Sequence, residues 1–509
     1  MILAVKKQDD LVKSVNVSHD PINGAPISYK EAITLGEANE WGVAINEELA
    51  SMNDQHVFEI LTVQKALMEV PRKSILSTKW VFMRKLKPLR FKARLVAQGF
   101  RQIQGINFEE TFAPTPTFNS LRLLFLVALY KGWDVKTFDV KVVFLNSMID
   151  KPVYIWPPQG MNLPPHSVLK LKKALYGTKQ AARCWWLHLQ HILKGIGFVV
   201  NPEDTSTYYL HSSKGQAMLW IHVDDGALAA SSVELMELIS SKLTDALKIK
   251  WDGEIASLVG ISITPLHHGF KLHQPDLIHK LLNLKPSNVT ARLPLPIKCS
   301  LESLKHGGSR PDISYAVNYL ARFSLGPTLA HWNALRHLIS YMRFMSDKGI
   351  LISKPMNNLI RCYVDANWGG EANRSTQGYI LFHGKNPVAW KSNRQAMVAA
   401  STTQAEYLAL SFAAKECLWI SHLFALVLKE PVPTLLLDNK TAMGIAADLV
   451  SRKQTRHLIR EFNIINKYVV KGKIMLDWVS TKDQLADIMT KSLGYVALSN
   501  IVDSITYTC

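Results

Sequence analysis

The chain has 509 residues, 48% hydrophobic and 20% charged, an ordinary globular composition that excludes a mainly disordered chain and a small scaffold dependent on disulfides or metal. Its 59 Lys and Arg against 41 Asp and Glu leave a net charge of +18, which favours polyanionic partners but says nothing about fold. At roughly 100–200 residues per domain, the length predicts about three or four domains. The five cysteines (Cys184, Cys299, Cys362, Cys417 and Cys509) form no C-x-x-C pair, so neither a zinc knuckle nor a disulfide framework is readable and a reducing, intracellular compartment is expected. The first residues soon meet Asp9 and Asp10 and do not read as a secretory signal. The longest apolar run, Leu123 to Tyr130, is well short of the roughly 20 residues that span a bilayer, so no membrane is expected as a partner.

Residues 1–36 read as a polar tail or linker remnant with a turn signal at Pro21 to Gly24. Helical periodicity begins near Glu37 and runs through Trp41, Ile45 and Leu49. Lys79 to Met83 and Arg94 to Ala97 are rich in β-branched and aromatic residues and predict strands. Asn119 is a candidate cap for a helix whose apolar face carries Leu121, Leu124, Phe125 and Leu129. The five prolines between Pro152 and Pro165 demand a loop or extended segment. Helices and strands alternate from Leu169 to about Thr264. Residues 285–310, rich in Pro, Ser and Gly, form the weakest joint, and a helical stretch follows from Pro311 to Met345. A compact strand, hairpin, helix, strand, helix series begins at Asn358, and no solenoid-length repeat is present.

Two adjacent aspartates, Asp224 and Asp225, stand between apolar runs in Leu219 to Leu228. The pattern predicts a β-hairpin with both at its tip, because neighbours along a strand point to opposite faces. Two carboxylates forced together raise each other's pKa, and a divalent cation with hard oxygen ligands resolves the conflict. Alone, the pair also fits a solvated turn. Asp139 supplies a third carboxylate inside the apolar strand Phe138 to Leu145, where a charge is costly unless paired or metal-bound. Three such groups suit two metals about 3.5–4 Å apart for in-line phosphoryl transfer.

The ordered motifs now resemble one family. Lys79–Phe82 (KWVF), Phe91–Phe100 (FKARLVAQGF), Glu110–Pro114 (ETFAP), Asp139–Asn146 (DVKVVFLN), Leu171–Arg183 (LKKALYGTKQAAR), His222–Asp225 (HVDD) and Arg310–Ser314 (RPDIS) follow one another. This series is similar to the reverse transcriptase and ribonuclease H portion of copia-type LTR retrotransposon Pol polyproteins, over roughly residues 37–495. The resemblance implies a mixed α/β (α+β) architecture. It comprises right-hand polymerase fingers and palm over 37–264, a shortened thumb or connection over 265–357, a ribonuclease H-like mixed-sheet domain over 358–495, and a C-terminal tail over 496–509. It implies polymerase metal ligation by Asp139, Asp224 and Asp225, triphosphate contacts from Lys92 and Arg94, and a nucleotide-pocket floor at Tyr176 and Gly177. Phe144 then stands as the aromatic gate against a 2′-hydroxyl, where an ordinary core phenylalanine is the alternative. Gly260 matches the Leu-Gly-Ile element after the aspartate hairpin.

The second half carries its own acidic series. Asp365 lies in the predicted strand Arg361–Trp368, Glu406 in a helix opened by the capping-box form Ser401–Gln404, Asp438 at the end of the strand Leu435–Asn439, and Asp487 in Gln484–Thr490. Strand Asp, helix Glu, strand-end Asp and late Asp is the order of ribonuclease H-like sites, where four carboxylates hold two Mg²⁺ for attack on the RNA strand of a hybrid. His457 is positioned like a product-release or proton-shuttling histidine, with an ordinary surface histidine as the alternative.

The implied cofactor is Mg²⁺, or Mn²⁺ in its place, two per site. The implied partners are RNA template, DNA primer, RNA–DNA hybrid and dNTPs, together with the element's capsid and integrase. The implied setting is a cytoplasmic particle and then the nucleus. Lys170, Lys172, Lys173, Lys179 and Arg183 are candidate phosphate contacts, with a solvated basic face as the alternative. The chain departs from the family pattern at His222 (usually Tyr), at Val142 and Val143 (usually Thr-Ala), in a short fingers hairpin at Arg84–Arg90, and in a missing thumb segment between Pro296 and Arg310. No Asp-Thr-Gly or Asp-Ser-Gly protease motif is present. The readings carried forward are an active polymerase with ribonuclease H, a ribonuclease H alone, and an inactive nucleic-acid-binding remnant.

Overall fold

The computed structural model describes residues 24–34, 36–86, 89–255, 257–283, 309–369, 374–425, 427–428, 431–447 and 459–507. Cys299, Cys509, His457, most of the tail expected over 1–36 and nearly all of the proline-rich joint lie outside the described residues.

In the expected fingers, the helices Tyr29–Thr34 and Ala38–Asp54 support an antiparallel hairpin of strands Thr78–Leu86 and Leu89–Ala97. Buried Trp41 meets the edges of Phe82 and Phe91 at centroid distances of 5.3 and 4.8 Å, a favoured aromatic geometry. Residues 24–34 are therefore not a simple tail: Ala25 and Ala32 are fully buried in this core. A second, three-stranded sheet has the order Phe58–Thr62, Ser167–Lys173, Met148–Ile155. Pro152 lies within the last of these strands, so the proline-rich stretch begins extended and becomes a loop after Ile155.

The expected palm is a six-stranded sheet in the order Ile249–Trp251, Asp134–Val140, Asp225–Ala230, Gly215–His222, Thr207–Ser212, Val199–Val200. Its strands Asp225–Ala230, Gly215–His222 and Thr207–Ser212 are largely buried on both faces, which is why they read as apolar runs. Leu219, Ile221 and Leu228 face the helices Ala181–Ile196 and Val233–Ala246, while Met218, Trp220, Ala227 and Ala229 face the helix Phe118–Lys131. That helix is capped not by Asn119 but by Thr117, whose Oγ1 accepts from the Ser120 N–H at 3.1 Å. Asn119 lies inside the first turn and bonds side chains instead.

The next unit is a four-stranded sheet, Ser257–Leu258, Ile261–Leu266, Gly269–His273 and Ile350–Ser353, with helices Pro275–Asn283, Ser314–Ala321 and Leu329–Phe344. The boundary expected between 264 and 265 cuts the strand Ile261–Leu266, because the hairpin partner Gly269–His273 completes the same sheet. The RPDIS motif forms a buried clasp. Arg310 donates through Nε and Nη2 to both oxygens of Asp312 at 2.9 and 2.7 Å, and the Tyr341 hydroxyl donates to Asp312 at 2.9 Å. This ties the helix Leu329–Phe344 to the turn that leads into the helix Ser314–Ala321.

The last unit is a five-stranded sheet in the order Asn386–Arg394, Thr376–His383, Ile360–Asn367, Thr434–Leu437, Met475–Trp478. The first three strands are antiparallel and the last two add in parallel. The helix Thr402–Ala425 lies across it. By length and apolar composition this helix is long enough to cross a bilayer, but 67% of its most apolar window is buried inside the protein. The tail expected over 496–509 is instead the helix Tyr495–Ile505, which buries Ile501, Val502 and Ile505, and Tyr507 pairs with Gly349.

The palm and the last unit share one core. Leu121 to Ala128 belong to the same apolar cluster as Val388, Trp390 and Leu410. Arg122, fully buried, donates to the Val388 carbonyl at 2.7 Å, and its guanidinium lies 4.0 Å from the Trp390 ring centroid. Burial pushes its pKa down to about 9.

Candidate active sites

The palm brings its three aspartates together by register. Asp225 opens one strand and pairs with Asp139 on the neighbouring strand and with His222 across the hairpin. Only Asp224 sits in the turn itself, so the hairpin tip is Val223-Asp224 and not the aspartate pair. The Val140 N–H donates to the Asp224 carbonyl at 2.7 Å, closing the turn against Asp139's strand. Burial, with Asp224 and Asp139 alongside, pushes the Asp225 carboxyl up to about 6, and the Val259 N–H donates to its Oδ2 at 3.3 Å. Lys141, just beyond the end of Asp139's strand, holds Asp139 Oδ1 at 2.7 Å. Two β-branched residues beside the aspartates, Val142 and Val223, have φ of 49° and 57°, a strained region for such side chains that concentrates at functional sites. The Trp185 indole N–H donates to the Val223 carbonyl at 2.8 Å and holds that turn.

A pocket wall stands beside these groups. The Phe144 ring meets Tyr176 edge-on at 4.8 Å, and the Arg94 guanidinium lies 4.9 Å from the Tyr176 ring centroid. Burial raises the Tyr176 pKa, opposed by Arg94 and reinforced by Asp224. Lys92 and Arg94 alternate with buried Ala93 and Leu95 and share the outward face of their strand. Gly177 has φ of +85°, and a Cβ there would meet the Ala97 carbonyl oxygen at 2.1 Å. Only glycine permits that approach, which docks the pocket floor against the end of the strand bearing Lys92 and Arg94. Phe144 is partly buried and packs against the palm core as well as against Tyr176.

The second site is tighter. Asp365 sits on the central strand, Glu406 one turn into the long helix, and Asp438 just past the end of the adjacent parallel strand. One oxygen from each lies within 4.8 Å of the others. Burial, then the charges of Asp365 and Asp438, push Glu406 up to about 9. Burial also raises Asp365, opposed by Lys491 and by a hydrogen bond from Thr490 Oγ1. Asp487 completes the series through Lys491, whose Nζ lies 2.8 Å from Asp487 Oδ1 and 3.8 Å from Asp365 Oδ2. Burial pushes Asp487 up to about 6. Glu406 Oε2 is buried with no hydrogen-bond partner among the described residues. An unsatisfied, closely packed carboxylate set of this kind fits hard divalent cations. Asp438, Asn439, Lys440 and Trp478 line an open groove leading to Glu406.

Sequence reasoning missed Lys141, Thr490, Lys491 and the Arg310–Asp312–Tyr341 clasp. The first and third had a local signal, a lysine two residues after a strand aspartate and one four residues after Asp487. Four of the five cations nominated for phosphate have partners within the chain. Lys170 is paired with Glu69, Lys172 with Glu59 and Arg183 with Glu110, at 2.7, 3.4 and 2.9 Å, while the Lys179 ammonium lies over Phe108 and donates to the Gln102 carbonyl.

Comparison with known proteins accords with this geometry. Residues 64–297 match the family model for reverse transcriptase (RNA-dependent DNA polymerase). The Retrovirus-related Pol polyprotein from transposon RE2 of Arabidopsis thaliana is 30% identical over 504 residues, covering 92% of this chain and 34% of the relative. The corresponding polyprotein from transposon TNT 1-94 of Nicotiana tabacum is 27% identical, covering 92% of this chain and 38% of the relative. The chain thus spans about a third of the length of these curated relatives. A solved foamy viral protease-reverse transcriptase in complex with double-stranded DNA superposes with a TM-score of 0.50 at 14% identity, covering 86% of this chain and 69% of that one. With a palm carrying paired aspartates and a mixed five-stranded sheet carrying an acidic cluster, the chain belongs to the copia-type retrotransposon Pol family, as its reverse transcriptase and ribonuclease H-like region.

Proposed function

We propose that this chain is an RNA-directed DNA polymerase that also cleaves the RNA strand of RNA–DNA hybrids. The observation that carries the reading is the convergence of Asp139, Asp224 and Asp225 on paired strands beside the Phe144–Tyr176–Arg94 wall. Asp139, Asp224 and Asp225 would hold divalent ions, Mg²⁺ or Mn²⁺, at one site, and Asp365, Glu406, Asp438 and Asp487 at the other. Bound there, such ions supply Lewis acidity that activates a hydroxyl or water and offsets charge on the leaving oxygen. Arg94 and Lys92 meet the triphosphate, Phe144 excludes a 2′-hydroxyl, and Tyr176 and Gly177 form the floor on which the incoming nucleotide rests. At the second site, Lys491 and Thr490 orient Asp365 and Asp487. Their positive charge and hydrogen bond temper the mutual repulsion of the carboxylates. RNA template, DNA primer, hybrid and dNTPs are the substrates in this reading, capsid and integrase of the element are its partners, and a cytoplasmic particle followed by the nucleus is its setting.

The test is Mg²⁺-dependent extension of a labelled DNA primer on an RNA template, with Asp224→Asn as control. Extension lost in the variant supports the polymerase reading, and no extension from folded, hybrid-binding protein rejects it. A second reading, ribonuclease H alone, is favoured by the ion pair that occupies Asp139 Oδ1 while the second carboxylate set is closed. Hybrid cleavage without extension would select it.

A further inference from the structure

We propose that Lys491 is a resident cation of the second carboxylate site. Its ammonium holds Asp487 and Asp365, so the free protein takes up one divalent ion on Asp365, Glu406 and Asp438. Asp487 receives a second ion only after Lys491 has swung out to solvent. The inference rests on the reading of this set as a divalent-ion site and assigns its order of loading.

The argument starts from local geometry. Asp487 lies in the short helical turn Leu485–Met489, and the Thr490 and Lys491 N–H groups both donate to its carbonyl, at 3.1 and 3.2 Å. This turn sets the Lys491 side chain beside the Asp487 carboxylate, four residues back. The ammonium stands 2.8 Å from Asp487 Oδ1 and 3.8 Å from Asp365 Oδ2, and the charge of Asp438 acts on it as well. Asp365, Glu406 and Asp438 each bring an oxygen within 4.8 Å of the others, and Asp487 is not part of that set. The site is thus divided. Three acids face one another, and the fourth is turned to an ammonium.

Charge gives the second argument. Four carboxylates carry at most four negative charges, and one divalent ion together with the ammonium offsets three of them. A second divalent ion on Asp487 has to share that carboxylate with the ammonium, and like charges brought together in a partly buried site repel strongly. With the ammonium withdrawn, the four acids balance two ions. The residue is built for such a withdrawal. Thr490 is fully buried and its Oγ1 donates to Asp365 and to the Asp487 carbonyl, so the backbone is fixed. The Lys491 side chain, by contrast, is 35% exposed, and the flexible four-carbon stem of a lysine carries its ammonium away without moving that backbone. Lys141 at the palm is a different case, because its more exposed side chain ion-pairs with Asp139 at an open hairpin and bridges no second acid among the described residues.

The experiment counts Mn²⁺ ions bound to the full chain from the paramagnetic resonance of free Mn²⁺, in an Asp224→Asn/Asp225→Asn background that silences the palm site. This parent is expected to bind one ion tightly and a second at least about tenfold more weakly. Adding Lys491→Gln should tighten the second ion about tenfold and change the first less than about twofold. Lys491→Arg keeps the charge and should keep the parent's ratio. Asp487→Asn should remove the second ion and spare the first. The parent, with Lys491 intact, supplies a readout that no misfolded variant can mimic. Acetylation of Lys491 by N-hydroxysuccinimidyl acetate, followed by mass spectrometry, should stay slow while the first ion binds and accelerate as the second binds. Equal ratios in the parent and Lys491→Gln, loss of the first ion in Asp487→Asn, or acetylation indifferent to the second ion would each overturn the proposal. If the ions load as expected but the wild-type chain leaves hybrid uncut, the loading order stands and the ribonuclease H reading fails. If hybrid is cut while Lys491→Gln leaves both affinities unchanged, the reading stands and the loading order fails.

Discussion

The two carboxylate sites are built alike and finished differently. Each sets acidic side chains on adjacent strands of a sheet, where register brings them together. In the palm the aspartates sit at an open hairpin, one carboxylate is held by exposed Lys141, and strain is stored in Val142 and Val223. In the ribonuclease H-like unit, Asp365 and Glu406 are buried, three oxygens already converge, and Lys491 with Thr490 bridges to the fourth member. Burial is the cause of the difference. It raises the pKa of every carboxylate it covers, so a buried set waits for a cation, whereas an open set can use solvent and a lysine in the meantime.

The comparison is broken most directly by removing ligands. Glu406→Gln should lower hybrid cleavage on the order of 10²–10³-fold or more and leave primer extension intact, read on a labelled hybrid. Loss of both activities would mean that the sites are not separate.

Next in size is the clasp of Arg310, Asp312 and Tyr341. Asp312→Ala leaves Arg310 buried and unpaired and should cost about 3–5 kcal/mol of stability, measured by urea denaturation. Burial raises the Asp312 pKa, but the charge and hydrogen bonds of Arg310 more than reverse it. The clasp's contribution is therefore present above the ordinary carboxylate range and fades as pH falls below it. Arg122→Met should cost about 1–3 kcal/mol by orphaning the Val388 carbonyl, and should loosen the junction between palm and nuclease.

A pH titration sharpens the contrast. Glu406 and Asp487 are pushed up to about 9 and about 6, and Asp365 is raised. Groups with raised folded-state pKa values stabilise the fold when protonated, and that contribution disappears as pH climbs through the folded value. The melting temperature in EDTA should therefore fall from about pH 5 toward pH 9, and Glu406→Gln should flatten that fall. The smallest effect is expected at Lys141. Exposed ion pairs are worth less than about 1 kcal/mol, so Lys141→Gln should lower the Mg²⁺ needed for extension by about threefold.

What was legible in the sequence followed from short-range rules. The strands carrying Asp139 and Asp365 announced themselves by apolar runs interrupted by a costly charge, the apolar run Leu435–Leu437 marked the strand that Asp438 follows, and Ser401–Gln404 marked the helix bearing Glu406, with the Gln404 N–H donating to Ser401 Oγ at 3.2 Å. The pairing of Asp139 with Asp225 spans more than eighty residues, and periodicity carries no register across such a distance; there, only the resemblance linked them. The misread cap shows a subtler limit. Thr117 and Asn119 are both good cap residues, and the choice was decided by burial of Ser120 and Arg122 against another unit. The helix Tyr495–Ile505 was misread as a tail because its apolar face has a partner only in the folded chain. The glutamate partners of Lys170, Lys172 and Arg183 were not legible because they lie far away in sequence.

The central claim is that one chain carries two separable, carboxylate-dependent sites. It is tested by following extension and RNA cleavage together, on a single template–primer labelled on both strands, for wild type, Asp224→Asn and Glu406→Gln. The account predicts that wild type does both, that Asp224→Asn cleaves without extending and that Glu406→Gln extends without cleaving. A folded, hybrid-binding wild-type chain that does neither, or substitutions that each abolish both activities, would contradict it.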